Sequence, residues 1–174
     1  MVIWLIGLSG AGKTTVGQLL YRRLKPRHAN LVFFDGDLLR EVWGDNLGHT
    51  IEARRVNAHR ISHMCRLLDR QDIHVVAAVL SGFSEWQTWN RANFTKYFEV
   101  FLDVPMDVLR ERDTKSLYAR AESGEIANVI GVDLPFPRPA GADLVISGAD
   151  ILATPSELAG QIEAQMAQRH GDKW

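Results

Sequence analysis

The sequence predicts an α/β protein, a three-layer α/β/α sandwich around a mostly parallel five-stranded sheet. Three observations predict it. Five short apolar runs alternate with helix-like segments. Several of those runs are continuously apolar, as strands covered on both faces are. The first run passes directly into a glycine-rich turn and then a helix. Strands that alternate with helices imply parallel neighbours joined by right-handed crossovers.

Taken in order, Val2–Ile6 is the first strand and Thr14–Leu24 the first helix, with Val16, Leu19, Leu20 and Leu24 near one face. Leu31–Phe34 is the second strand. Ile51–Leu68 reads as a helix, with Ile51, Val56, Ile61, Met64 and Leu67 set among basic residues. Val75–Leu80 and Phe98–Leu102 are the third and fourth strands. Pro105–Arg112 opens on a proline, which suits a first helical turn. Leu144–Ile146 completes the sheet. Thr154-Pro155-Ser156-Glu157 has the pattern of an N-cap with a capping-box Glu, opening an amphipathic helix to about Met166. Thr114–Ala140 breaks the alternation. Gly124, Gly131, Pro135, Pro137 and Pro139 make it mostly loop, and a long loop in a compact domain is usually functional. With no repeat or linker, residues 1–174 are expected to form one domain.

Composition narrows the function. Hydrophobic residues are 46% and charged residues 24%, which excludes disordered, collagenous and coiled-coil chains. Twenty Lys and Arg against 21 Asp and Glu leave a net charge of −1. No global field draws the protein to nucleic acid or membrane, so a bound anion needs a local site. Val2–Ile6 is too short for a membrane span or signal segment, and the lone Cys65 cannot form an internal disulfide. A cytoplasmic location is expected.

That local site is legible. Gly7-Leu8-Ser9-Gly10-Ala11-Gly12-Lys13-Thr14 fits G-x-x-x-x-G-K-[ST], with a strand before it and a helix after it. The glycines let successive backbone N–H groups turn toward phosphate oxygens, and the helix N-terminus adds partial positive charge. Lys13 reaches β and γ phosphates and Thr14 can ligate Mg²⁺. The expected ligands are ATP and Mg²⁺, and the fold is that of the P-loop NTPases. Gly7, Ser9, Gly10, Ala11, Gly12, Lys13, Thr14 and Thr15 form the candidate ATP site.

The second strand ends in Phe34-Asp35-Gly36-Asp37-Leu38-Leu39-Arg40. Carboxylates at the carboxyl end of a parallel strand lie in the crevice where such sheets bind ligands. One can serve the metal and the other can accept a proton from an attacking hydroxyl. Arg40 could clamp an anionic acceptor. The plainer reading makes Asp37 a helix N-cap and Asp35 a turn residue. Elsewhere, Cys65 reads as core. His59 and His63 share a helix side without further metal ligands, Trp86 and Trp89 read as packing or lid residues, and Arg54, Arg55, Arg60, Arg66 and Arg70 as a solvated face.

In combination these motifs resemble the adenylyl-sulfate kinase family, which moves the ATP γ-phosphate onto the 3′-hydroxyl of adenylyl sulfate. The phosphate loop matches Gly7–Thr14, and D-G-D-x-x-R matches Asp35, Gly36, Asp37 and Arg40. D-L-G-[FH] appears as Asn46-Leu47-Gly48-His49. R-x-x-N-x-x-R is found at Arg54, Asn57 and Arg60, and V-P-x-x-V at Val104–Val108. R-D-P-K-G-L-Y is read as Arg112–Tyr118, and G-E-I as Gly124–Ile126. The resemblance runs from Val2 to about Ile146. It implies that Thr14 and Asp35 belong to the magnesium site and that Lys13, Asp35 and Asp37 are catalytic, with Asp37 near the acceptor hydroxyl. Arg112 is then expected at ATP. Arg40, Arg54, Asn57, Val79, Leu80, Ser81, Lys115, Leu117 and Val129 are expected around the acceptor, with a lid beginning at Lys115–Tyr118. The implied partner is a small-molecule nucleotide, besides a second copy of the chain in a homodimer.

The resemblance breaks at the acceptor base. Where the family holds adenine between two phenylalanines, this chain has Val79, in Val79-Leu80-Ser81-Gly82-Phe83-Ser84, and Val129, in Val129-Ile130-Gly131-Val132-Asp133-Leu134-Pro135. A base–aromatic stack is worth roughly 1–3 kcal/mol. Loss of two favours a different base, and the cytidine diphosphoramidate kinases, which resemble this branch, phosphorylate a CDP-type acceptor. A regulatory module that binds nucleotide without transfer is the rival of a different class.

Overall fold

The computed structural model describes residues 1–44, 47–80 and 83–171. Ser81, an expected acceptor residue, and Asn46 of the D-L-G-like stretch lie outside the described residues. The five strands are β1 (Val2–Ile6), β2 (Leu31–Asp35), β3 (His74–Val79), β4 (Tyr97–Leu102) and β5 (Leu144–Ile146). Each pairs in parallel with its neighbours in the order β2-β3-β1-β4-β5. The described helices are α1 (Lys13–Leu24), α2 (Gly36–Val42), α3 (Ile51–Asp69), α4 (Ser84–Asn93), α5 (Met106–Glu111), α6 (Leu117–Glu122) and α7 (Pro155–His170), plus a 3₁₀ turn at Asp150–Leu152.

Side chains on β1 alternate between two cores, as the pleat requires. Ile3 and Leu5 join Val16, Leu20 and Leu24 of α1 and Leu158, Ile162 and Met166 of α7. Val2, Trp4 and Ile6 join Ile61 and Cys65 of α3 on the opposite face. With both faces covered, β1, β3 and β4 are buried throughout. The Cys65 thiol is fully buried, and burial raises its pKa, so it packs as a small apolar group. Buried Asp143 ties the layers together at the start of β5, pairing with Arg91 of α4 at 3.2 Å and Arg169 of α7 at 2.9 Å. This arrangement brings the carboxyl ends of β1 to β4 to one edge, where a parallel sheet binds ligands.

Three helices escape the sequence reading. α2 is short and buries no residue, so it carries no apolar stripe. α4 turns Gln87 and Asn90 inward, so polar residues stand where a buried apolar stripe would be expected. The stretch read as loop from Thr114 to Ala140 contains α6. Pro105 is the N-cap of α5 rather than its first residue, and the cap of α2 is Asp35 rather than Asp37. On α3, Ile51 and Leu67 are 44% and 55% exposed; the buried stripe is Ala53, Ala58, Ile61 and Cys65. Of the basic residues on that helix, Arg55 pairs with Glu85 at 3.0 Å and Arg60 lies over Trp43. His59 and His63 stack 4.2 Å apart beside Trp86 and Trp89. Among the described residues no helix is long and apolar enough to cross a membrane.

The capping box of α7 is present as read. The Glu157 N–H donates to Thr154 Oγ1 at 3.3 Å, and the Thr154 N–H donates to Glu157 Oε2 at 2.7 Å. The helix continues to His170, one turn beyond its expected end. Thr154→Ala should cost about 1 kcal/mol and lower the melting temperature by roughly 2–4 °C, measured by calorimetry.

Candidate active site

The phosphate loop leaves β1 under a tight steric constraint. A Cβ on Gly7 would lie 2.9 Å from the Leu102 carbonyl oxygen and 3.0 Å from Ala11 Cβ, so only glycine lets the loop cross the end of β4. Gly12, with φ +85°, caps α1 in the left-handed region, and no side chain caps that helix end. Its first N–H groups are therefore open to an anion. Ser9 is half-buried, while Gly10, Thr14 and Thr15 are exposed along the rim.

Lys13 folds back over the loop, its Nζ donating to the Leu8 carbonyl at 2.8 Å. Burial pushes its pKa down to about 8, while the charges of Asp37 and Asp35 oppose that shift. An ammonium stripped of water in this way gains strongly from a phosphate. Thr14 Oγ1 donates to Asp35 Oδ2 at 2.6 Å. The other Asp35 oxygen accepts from the N–H groups of Asp37 and Leu38 at 2.9 and 3.3 Å. Asp35 is buried and fixed, whereas Asp37 on the first turn of α2 is exposed. A hydroxyl and a carboxylate oxygen side by side are hard donors that fit Mg²⁺, which usually takes one or two protein oxygens and completes its shell with water and phosphate.

Opposite stand the residues expected at the acceptor. Arg40 Nη1 donates to the Gly48 carbonyl at 2.6 Å. Arg54 donates from Nε to the His49 carbonyl at 2.9 Å and from Nη2 to the Asn128 carbonyl at 2.8 Å. Burial and the neighbouring Arg40 lower the Arg54 pKa, and Asp37 and Asp133 oppose them, so all four charges share one field. Asn57 Oδ1 is buried without a hydrogen-bond partner among the described residues, as an acceptor awaiting a ligand would be. Leu80 is half-buried at the end of β3. Val79 and Val129 are 3% and 4% exposed and belong to different cores, so each is packed into the protein rather than standing as an open shelf. Lys115 and Arg112 are exposed, and Leu117 packs on the core.

Sequence reasoning missed the parts that hold the long loop. Asp113 accepts from the N–H groups of Leu117 and Tyr118 at 2.8 and 2.7 Å, fixing the start of α6. Tyr118, quoted only as part of the expected lid, donates its hydroxyl to the Ser9 carbonyl at 2.7 Å and so ties α6 to the phosphate loop. Asp133 accepts from the N–H groups of Asn128 and Val129 at 2.5 and 2.6 Å. An Asp shortly after a glycine in a proline-rich stretch was the available signal.

Fold and site together define a nucleotide kinase, a phosphotransferase built on a P-loop. The chain belongs to the adenylylsulphate kinase family, whose model matches residues 1–147. It is similar to the adenylyl-sulfate kinase of Paraburkholderia xenovorans, with 43% identity over 83% of this chain and 82% of that one. It is also similar to the cytidine diphosphoramidate kinase of Campylobacter jejuni, with 40% identity over 85% of this chain and 86% of that one. Among solved structures, the Mycobacterium tuberculosis APS kinase CysC in complex with AMPPNP and APS superposes with a TM-score of 0.83. That match has 32% identity and covers 95% of this chain and 96% of the other.

Because Lys13 must be charged to meet phosphate, kcat/KM for ATP should fall as pH rises through about 8. Bound phosphates raise the ammonium pKa, so kcat should hold to higher pH. Steady-state kinetics between pH 6.5 and 10 check both limbs.

Proposed function

We propose that this protein transfers the γ-phosphoryl group of ATP to the 3′-hydroxyl of a small nucleotide. The observation that carries the reading is the convergence at one sheet edge of Lys13, the bonded Thr14–Asp35 pair, exposed Asp37, and the Arg40, Arg54 and Asn57 group. Lys13 exchanges the Leu8 carbonyl for phosphate oxygens, and the open end of α1 binds the same phosphates. Asp37 accepts the proton of the attacking hydroxyl. The acceptor oxygen bonds to the γ-phosphorus as the bond to the β,γ-bridging oxygen breaks, and ADP leaves. Thr14 and Asp35 would hold Mg²⁺, which when bound neutralises phosphate charge. Arg40 and Arg54 neutralise the acceptor's anionic groups, and catalysis is mainly positioning and electrostatics.

Adenylyl sulfate is the acceptor that family membership suggests first. A CDP-type acceptor such as cytidine diphosphoramidate is the second reading. Val79 and Val129 favour it, because neither buried valine supplies an aromatic face to adenine. Catalysis in the cytoplasm is part of the proposal, and a homodimer is compatible with it.

ADP release measured with an acceptor panel tests the proposal. Cytidine diphosphoramidate should be turned over, and adenylyl sulfate should bind weakly. Efficient use of adenylyl sulfate with no use of the cytidine compound would remove the second reading. Lys13→Ala should lower turnover at least ~10²-fold with the melting temperature unchanged. Asp35→Asn should raise the Mg²⁺ concentration needed for half-maximal rate, because it weakens the oxygen pair with Thr14. Full activity of both variants at low Mg²⁺ would reduce the loop to a structural turn.

A further inference from the structure

A cleft of about 540 Å³ lies at the carboxyl end of β4, beside the phosphate loop, and no step above uses it. Its floor is Leu8, Phe101 and Leu102. Its roof is the loop from Gly131 to Phe136, and Asp103 and Arg138 stand at its side. The volume is within the range of small-molecule sites. The cleft is continuous with the proposed reaction site through shared residues. Leu8, whose carbonyl takes Lys13, lines it, and a Cβ on Gly131 would sit 3.2 Å from Leu8 Cδ2. At the other end of the roof, Asp133 holds the backbone of Asn128, whose carbonyl takes Arg54.

The cleft carries what Val79 and Val129 lack. Phe136 is half-buried with its ring tilted on Phe101, the centroids 5.8 Å apart. The Arg138 guanidinium lies over the same Phe101 ring, 5.8 Å from its centroid, and is hydrogen-bonded to Asp103. Arg138 is largely exposed and Asp103 about one-fifth exposed. One contact uses few of the five guanidinium N–H groups and few of the carboxylate lone pairs, so donors and acceptors remain for a ligand.

Resting on the nucleotide 3′-kinase reading, we infer that this cleft holds the base of the acceptor, that Phe136 is its stacking face, and that Asp103 and Arg138 select cytosine. An Asp or Glu accepts from the cytosine amino group. Beside that amino donor, cytosine presents a ring nitrogen and a carbonyl oxygen, both acceptors for Arg138. Uracil reverses the first two, offering a carbonyl to Asp103 and an N–H to Arg138, so acceptor faces acceptor and donor faces donor. Adenine also carries an amino donor beside a ring acceptor, so the pair excludes uracil. The smaller pyrimidine is favoured over adenine because one aromatic face, flanked by aliphatic walls, replaces the two-ring sandwich.

The test is CDP and UDP binding to the intact chain by calorimetry with the donor site saturated by ADP, alongside acceptor and ATP KM values. The chain should bind CDP more tightly than UDP. Phe136→Ala should weaken CDP binding and raise the acceptor KM roughly 5- to 100-fold, with the ATP KM unchanged. Arg138→Gln, at an exposed position that leaves the fold intact, should weaken CDP binding about 10-fold and leave UDP unchanged, erasing the preference. Unchanged CDP affinity in both variants would overturn the inference, as would a loss of ADP or ATP binding instead, which would make the cleft a donor-base site. Absence of turnover on every nucleotide acceptor, with the CDP results as expected, would remove the 3′-kinase reading and leave the cytosine site standing.

Discussion

The carboxylate of Asp35 organises the reaction edge. It ends β2, caps α2 through two backbone N–H groups, and accepts the Thr14 hydroxyl from the first turn of α1. A buried carboxylate is tolerable only when such donors replace its water. Those donors also set the distance between two helices whose parent strands are separated in the sheet by β3. The cap that starts α2 thus leaves Asp37 exposed on its first turn. The structural reading of the Asp pair and the functional one are therefore complementary: one carboxylate is held so that the other can be offered.

The long loop is anchored by the same kind of chemistry. Asp113 starts α6, Tyr118 reaches from α6 to the Ser9 carbonyl, and Asp133 closes the turn that Arg54 grips from α3. Burial raises the Tyr118 pKa to about 12, so its hydroxyl keeps its proton and stays a donor at working pH. Each anchor ends on backbone: Asp113 on the first N–H groups of α6, Tyr118 on the phosphate loop, and Asp133 on Asn128 and Val129. The Tyr118 hydroxyl thus fixes α6 against the phosphate loop at Ser9.

Legibility followed periodicity. The strands and α1, α3 and α7 were readable because apolar residues recur at the spacing of a buried face. α4 was not, because polar Gln87 and Asn90 occupy its inward positions. α2 was not, because it is short, has no fully buried residue and packs only Leu39 partly on the core, its start being set by the Asp35 cap. In the site, Lys13, Thr14, Asp35 and Asp37 were legible because phosphate binding demands particular residue types at fixed spacing. Asp113, Asp133 and the Tyr118–Ser9 contact were not, because an aspartate or tyrosine in a loop has many uses, and only its partner selects one. Arg54 shows both sides: its motif was readable, while its grip on Asn128, 74 positions away, was not.

By itself the sequence determined the family, the parallel sheet, and a phosphate loop in which Gly7 and Gly12 are required, because local spacing and backbone freedom carry that information. It also showed that Val79 and Val129 break the family's base clamp. Only the tertiary structure decided that these valines are packed into two separate cores, and that Phe101, Phe136, Asp103 and Arg138 meet in one cleft beside Leu8. That juxtaposition joins the end of β4 to a loop some thirty residues later. Its geometry depends on how the sheet edge and the Asp133 turn pack together, and no local pattern in the chain encodes it.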